Sequence, residues 1–460
     1  MLKIQNLRKK YLKFLYKGYS FVHQNGDLKI SFDFVVPPDI AFHPKVVIKN
    51  VSKIDLERVG ESVLKNLVFQ LGLVEMVSYW KATCSPKIVI EAGYLSKQQI
   101  MWWKDLILNG MGEFFYKNKI DFTKPNFLTI SSSVLRNLVS KKETKFLAPD
   151  RLSKRILLPI GGGKDAIVTL ELLKKLPHRA FVLNPKQEHK AILKIAGEKN
   201  TIIVERVIDP KLLELNKKGY LNGHTPFSAY LAFLSVFAGV LFNYKYIALS
   251  NERSSNEGNI KYLGKVINHQ YSKSFDFEKK FREYSKKYLA KNIEYFSFLR
   301  PFYELQIAKI FSNYPKYFPA FLSCNEANKT YSGIKPTGLP AVVPTKGGTK
   351  AGKWCGKCSK CLFVWLALYP FVEEKQLVSI FKKNLFQDKT LVPLLNELTG
   401  KRKFKPFECV GTIKESRAAL SLCRQKQRGE LQKYPRILQS WNAKNFVPGK
   451  FFALLKQGIS

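Results

Sequence analysis

Acidic residues are scarce in this chain. Its 460 residues carry 35 Asp and Glu against 77 Lys and Arg, a formal charge of +42 at pH 7. Cysteine numbers only 7 and histidine only 6. So few, unevenly spaced cysteines exclude a disulfide framework and fit a reducing compartment. The most apolar uncharged stretch, Phe227 to Phe242, falls short of the ~20 residues that a bilayer span requires. It follows the helix-start signal Thr225-Pro226 and reads as a buried core helix. No apolar stretch follows the basic start (Lys3, Arg8, Lys9, Lys10), so a secretory signal is not expected and the cytoplasm is the expected location. There is no internal repeat, no low-complexity segment and no G-x-x-x-x-G-K-[ST] string.

What is present suffices for real cores. Apolar residues make up 45% and aromatics 13%, which excludes global disorder. The length implies two or three domains. The basic excess suits polyanionic partners such as nucleotides, nucleic acid or anionic lipid. It fits a merely solvated surface equally well, because the basic residues are spread along the chain.

Residues 28–49 read as strands broken by Pro37-Pro38. Residues 55–80 read as an amphipathic helix with Leu56, Val59, Val63, Leu64, Leu67 and Leu71 on one face, and 97–117 as another helix. This α+β region spans 1–150. From Arg155 the texture becomes strand–turn–helix in alternation: RILLPI, GGGKD, AIVTLELLKKL, RAFVLNP, EHKAILKIAGEK, TIIVERVI, the long buried helix, then YKYIAL. That alternation predicts an α/β domain over 151–372, a parallel sheet covered on both faces. Residues 373–460 read as a helical, polar region.

Consecutive glycines between a strand and a helix make a phosphate site in physical terms. Glycine lets backbone approach an anion, and the helix start supplies free N–H groups. Gly161, Gly162, Gly163, Lys164 and Asp165 are therefore the expected phosphate-binding residues. A dinucleotide turn fits Gly161, Gly163 and Ala166 formally, but Asn184-Pro185 stands where its acidic residue belongs. A pyrophosphate loop of the pattern Ser-Gly-Gly-x-Asp-Ser fits Gly162, Gly163 and Asp165, with Gly161 and Ala166 replacing both hydroxyls. A ligand-free turn is the third reading.

Ligands of open sheets sit at strand carboxyl ends. Ser250, Asn251, Glu252, Ser254, Asn256 and Glu257 follow YKYIAL and are expected in the same crevice, with Glu252 and Glu257 as acid, base or Mg²⁺ ligands. Asn222-Gly223-His224 opens the buried helix, and His224 is a candidate base. Cys355, Cys358 and Cys361 stand at C-x2-C-x2-C spacing, with Cys324 a possible fourth ligand for zinc or an iron–sulfur cluster. Cys84, Cys409 and Cys423 read as ordinary small side chains.

Several strings together carry a resemblance: SYWKAT (78–83), LLPIGGGKDA (157–166), IDPKLLELN and GYLNGHTPFSA (208–229), ALSNERSSNEGN (248–259), WCGKCSKCLFVW (354–365), FECVGT and ESRAAL (407–420). From about residue 65 to 420 the chain resembles the UDP-N-acetylmuramoyl-L-alanyl-L-glutamate epimerase family of peptidoglycan synthesis. The resemblance implies a core like that of the adenine-nucleotide alpha-hydrolases, of pyrophosphate-loop type. It implies UDP-MurNAc-L-Ala-L-Glu and ATP as substrates, with Mg²⁺, and no nucleic-acid partner. ATP would adenylate the α-carboxylate of the terminal Glu, the Cα proton would leave and return on the other face, and hydrolysis would release the D-Glu product with AMP and pyrophosphate. Arg206, Arg253 and Lys164 would meet the anions, and His224 or Glu252 would move the proton. The alternative is a pyrophosphate-loop enzyme modifying tRNA or a nucleobase, which the cysteine string also resembles. A zinc-stabilised, non-enzymatic binding protein is a third possibility.

Overall fold

The computed structural model describes residues 4–133, 152–328, 353–430 and 434–459. The boundary expected at 150 lies outside the described residues.

Strands β1 (Lys13–Gln24) and β2 (Asp27–Val36) form an antiparallel hairpin. Its turn, Asn25-Gly26, has φ of 55° and 75°, the double left-handed conformation that closes two-residue hairpins without splaying the strands. Along β2 every second residue is buried: Leu28, Ile30, Phe32, Phe34 and Val36. Pro37-Pro38 ends β2 as expected, and β3 (Ile40–Phe42) and β4 (Lys45–Ile48) follow. Strands β5 (Lys87–Ile90) and β6 (Thr129–Ser132) extend the sheet beyond β1 in parallel.

The second half supplies β7 (Ile156–Pro159), β8 (His178–Leu183), β9 (Ile202–Val207) and β10 (Tyr246–Leu249), all anticipated as strands. A short ribbon, β11 (Ile260–Tyr262) and β12 (Lys265–Ile267), precedes the edge strand β13 (Glu294–Ser297). One 11-stranded sheet runs in the order β13-β10-β7-β8-β9-β4-β2-β1-β5-β6, with β3 on β2. The two halves join where β4 pairs antiparallel with β9, from Lys45 opposite Val207 to Ile48 opposite Val204. The fold is mixed α/β with a large, mostly parallel sheet, and the N-terminal region shares that sheet.

Alternation of side chains across the sheet divides the core. Leu157, Phe181 and Ile247 face one cluster, with helices Glu61–Trp80 and Phe227–Leu241. Ile156, Leu158, Ala180, Val182, Tyr246 and Ala248 face the other, with helices Lys164–Leu173, Glu304–Ser312 and Ser359–Leu368. A strand buried on both faces must be apolar throughout, which is why ILLP and YIAL show no polar alternation.

Two helix expectations change. The helix over 55–80 is two helices, Lys53–Val59 and Glu61–Trp80, broken at Gly60 with φ 78°. The second is buried almost all round from Leu67, because it packs against both β1 and the helix Phe227–Leu241. The helix over 97–117 likewise ends at Gly110 and restarts at Gly112.

Candidate active site

The parallel strands run β13-β10-β7-β8-β9, so the chain builds outwards from β7 in one direction and then returns to build outwards from β10 in the other. The seam between β7 and β10 is therefore the switch point, and open α/β sheets bind ligands at the strand carboxyl ends of such a point. The residues leaving these two strands are Gly161-Gly162-Gly163 and Ser250-Asn251-Glu252.

The glycine loop is tightly held on one side and open on the other. A Cβ on Gly162 would lie 2.6 Å from the Leu322 carbonyl oxygen and 2.7 Å from Glu188 Cγ, so only glycine fits. The Leu322 amide donates to the Gly162 carbonyl at 2.6 Å. At Gly161 a Cβ would meet nothing within 4 Å. Gly163 begins the helix Lys164–Leu173 with no side-chain cap, which leaves its first-turn amides for an anion.

Lys164 turns inward from this loop. It is 2% exposed and pairs with Asp165 Oδ1 at 2.5 Å and with Glu304. Lys360 reaches the other oxygen of Glu304 at 3.4 Å. Burial alone would raise Glu304, but Lys164 and Lys360 outweigh it and hold its carboxyl down at about 2. Glu304 stands at the start of its helix because Ser254 Oγ accepts its amide at 3.0 Å and Glu415 accepts the next amide, Leu305, at 3.1 Å.

Glu252 has the opposite environment. It is 2% exposed, and burial followed by the neighbouring Glu304 charge raises it to about 7. Its backbone is fixed by Arg300, which is fully buried and paired with Glu278. Arg300 Nη1 donates to the Glu252 carbonyl at 2.5 Å and to Ser255 Oγ at 2.9 Å. Its Nη2 donates to the Lys273 carbonyl at 2.5 Å and to Ser297 Oγ at 3.1 Å. One guanidinium therefore pins the loop after β10, the turn at Lys273 and the end of β13.

The remaining expected residues divide. Ser250 Oγ is buried without a hydrogen-bond partner at the end of β10, and Asn251 donates to Ser297 Oγ at 3.2 Å. Arg253 stacks on Tyr303, 4.3 Å from the ring centroid. Asn256 accepts the Phe275 amide, and Glu257 accepts the Ile413 amide and pairs with Lys405 at 3.0 Å. These two hold neighbouring segments in place. Asn222 is exposed and accepts the amide of Gly223. Arg206 lies elsewhere, on β9, in a two-pronged pair with Glu75 at 2.7 and 2.9 Å and under the ring of Tyr230.

His224 belongs to a second cluster. Its Nδ1 lies 3.7 Å from Glu113, and its ring centroid is 4.3 Å from that of His269, which bonds the same carboxylate. Burial, then the His269 charge, drives His224 down to about 3 and keeps it neutral. Burial would also lower His269, but hydrogen bonds with Cys409 and Glu113 carry it up to about 9. Cys409 also receives Lys273 Nζ at 3.3 Å. Burial would raise this thiol, yet Lys273, His269 and Lys360 bring it down to about 6. Lys273 in turn feels Glu252 and Asp165, so the two clusters are electrostatically continuous. Cys409 thus departs from the ordinary side chain expected. Cys84 and Cys423 conform, both buried and both with thiols pushed up, Cys84 to about 12.

Four cysteines converge. Sγ of Cys324 is 3.9 Å from that of Cys358, and Cys361 is 3.6 Å from both Cys355 and Cys358. Backbone amides of Ala327 and Lys357 point at Cys324 and Cys355 at 3.5 and 3.4 Å.

Sequence reasoning missed Glu113, His269, Lys273, Arg300, Glu304 and Lys360. Only Lys360 and Cys409 lie inside conspicuous strings. Glu113, Arg300 and Glu304 are single polar residues among apolar ones, as in SFLRPF, and His269 and Lys273 sit in the unpatterned polar segment NHQYSKS.

Comparison with known proteins adds family context. Residues 5–298 match the model of the MurL N-terminal domain, and residues 341–445 that of the MurL C-terminal domain. A UDP-N-acetyl-alpha-D-muramoyl-L-alanyl-L-glutamate epimerase of Xanthomonas oryzae pv. oryzae is 33% identical over 76% of this chain and 73% of its own. Proteins of the same name from Micromonospora sp. and Salinispora tropica are 33% and 31% identical, over 76% and 89% of this chain and 73% and 84% of theirs.

Proposed function

Because the chain belongs to the MurL family, we propose that it epimerises the terminal L-Glu of UDP-MurNAc-L-Ala-L-Glu to D-Glu, consuming ATP to activate that residue as its acyl-adenylate. The names of its relatives support the substrate and the epimerisation. The observation that carries ATP is the uncapped triple-glycine helix start beside Asn251 and Glu252, at the seam where the sheet changes direction.

The chemistry explains why an epimerase needs a phosphate loop. Beside a free carboxylate, Cα–H is very weakly acidic, since deprotonation would set two negative charges side by side. Adenylation removes one charge and leaves an electrophilic carbonyl, so a modest base suffices. The loop amides would hold the nucleotide phosphates. Asp165, 25% exposed, is the carboxylate best placed for Mg²⁺, while Glu304 is already satisfied by lysines. Lys164 would act through this pair, keeping the loop's first helical turn rigid rather than touching phosphate itself.

The four cysteines fit zinc. A tetrahedron with ~2.3 Å Zn–S bonds has edges near ~3.8 Å; three of the separations are 3.6 to 3.9 Å and all four sulfurs lie within 4.8 Å of one another. A four-iron cluster gives each thiolate its own iron and would spread them further. Zinc at Cys324, Cys355, Cys358 and Cys361 would supply a structural cross-link beside the glycine loop, because Leu322 bonds Gly162 and stands two residues from Cys324.

Purified protein with ATP, Mg²⁺ and UDP-MurNAc-L-Ala-L-Glu in D2O is expected to release AMP and pyrophosphate and to place deuterium at the glutamyl Cα of the epimer. No exchange, together with tight, salt-sensitive tRNA binding, would replace this reading with the nucleobase one.

A further inference from the structure

The relatives' names give a reaction but no proton-transfer residue, and the sequence offers only His224 and Glu252. Among the described cysteines outside the four-sulfur cluster, Cys84 and Cys423 are enclosed by apolar side chains, whereas Cys409 is only partly buried. Lys273 donates to its sulfur at 3.3 Å, the His269 imidazole acts on it electrostatically, and Glu113 bonds Nδ1 of His269. Its carbonyl accepts from Lys360, which also reaches Glu304, the partner of Lys164. Cys409 therefore stands between the carboxylate–lysine network of the glycine loop and the histidine cluster. A cation bonded to the sulfur, with a carboxylate-oriented histidine nearby, is the kind of setting that activates a thiol.

The geometry points to Cys409 as a catalytic acid–base residue of this enzyme, its thiolate exchanging the glutamyl Cα proton while His269, oriented by Glu113, and Lys273 hold it in position. This inference rests on the proposed epimerisation. The Cα–H bond breaks and its proton passes to Sγ, while its electron pair moves into the activated carbonyl as an enolate. A proton from a second acid or solvent then forms the new C–H bond on the opposite face, and the thiol returns its proton to solvent. Burial opposes a charged sulfur, but Lys273, His269 and Lys360 outweigh that cost. Glu408 faces Cys409, Glu113 backs His269, and Glu252, Asp165 and Glu304 face Lys273.

Three measurements test it on the full-length protein. Substrate-dependent exchange of labelled pyrophosphate into ATP reports activation alone, and deuterium entry at Cα reports proton transfer. Cys409→Ala is expected to keep pyrophosphate exchange within a few-fold of wild type and to lose Cα deuteration by a factor on the order of 100 or more. Lys273→Met and His269→Gln are expected to move the pH profile of iodoacetamide alkylation at Cys409 upward, a change that a merely structural role would not produce. Deuteration by Cys409→Ala within ~10-fold of wild type, loss of both reactions in Cys409→Ala and Cys409→Ser alike, or a substrate adduct on Cys409 by mass spectrometry would each overturn the assignment. Absence of pyrophosphate exchange in the wild type would instead overturn the proposed function beneath it.

Discussion

Two buried ion-pair systems in this molecule look alike in composition and differ in kind. At the seam between the halves, Arg206 and Glu75 meet in two-pronged geometry, 9% and 0% exposed, with Ser78 and the Tyr230 ring completing the shell. One acid meets one base in a closed pair. Beside the glycine loop, Lys164, Lys273 and Lys360 surround Asp165, Glu252 and Glu304, and the ion pairs are shared rather than one to one. Glu304 is held at about 2 and Glu252 raised to about 7 within one network. Two carboxylates driven apart in this way are the physical mark of acid–base chemistry, whereas a saturated pair marks structure.

The contrast breaks first under substitution of the pairs themselves. Removing one partner from either system, as in Glu75→Leu or Lys164→Met, is expected to cost about 3–5 kcal/mol in urea unfolding, because an uncompensated charge stays buried. The double changes should separate the two. Arg206→Met with Glu75→Leu is expected to recover most of the stability and to keep pyrophosphate exchange. Lys164→Met with Glu304→Leu is expected to recover stability without activity. Equal activity in the two doubles would erase the distinction.

A smaller effect tests the loop. Gly162→Ala must displace the Leu322 carbonyl or Glu188, so a loss of about 1–3 kcal/mol is expected, with weaker ATP binding by calorimetry. Gly161→Ala, facing open space, should stay within about 0.5 kcal/mol of wild type.

The smallest effect concerns pH. Glu252 is raised from 4.5 to about 7 in the folded state. Its contribution to stability is thus full below its unfolded value and is lost as pH rises through the folded one. Glu252→Gln is expected to flatten the stability profile across that window by on the order of 1–2 kcal/mol, read from urea midpoints at pH 5 and pH 8. An unchanged slope would show that Glu252 titrates normally.

The parallel half was legible because its strands are short apolar runs ended by punctuation: GGG after ILLPI, SNE after YIAL. The glycine loop and the four cysteines were legible because their meaning lies in local spacing. The edge strand β13 escaped notice, being four residues among other apolar ones, and so did β1, whose outer face is partly exposed and weakly patterned. Cys409 escaped for a different reason. Nothing next to it in sequence sets its charge, since Lys273 and His269 arrive from some 140 residues earlier in the chain. Arg206 misled for the complementary reason, since a basic residue at a strand end says nothing about a partner 131 positions away.

The Arg300 clamp carries a consequence for biosynthesis. The glycine loop and the strands β7 to β10 come off the ribosome before Arg300, Glu304, Lys360 and Cys409. A nascent chain ending before β13 has the glycine loop proposed to hold phosphates but not the guanidinium that fixes Glu252, Lys273 and Ser297 to one another. Competence is thus a late event in synthesis, so a polypeptide caught halfway could hold nucleotide yet lack the groups assigned to proton transfer.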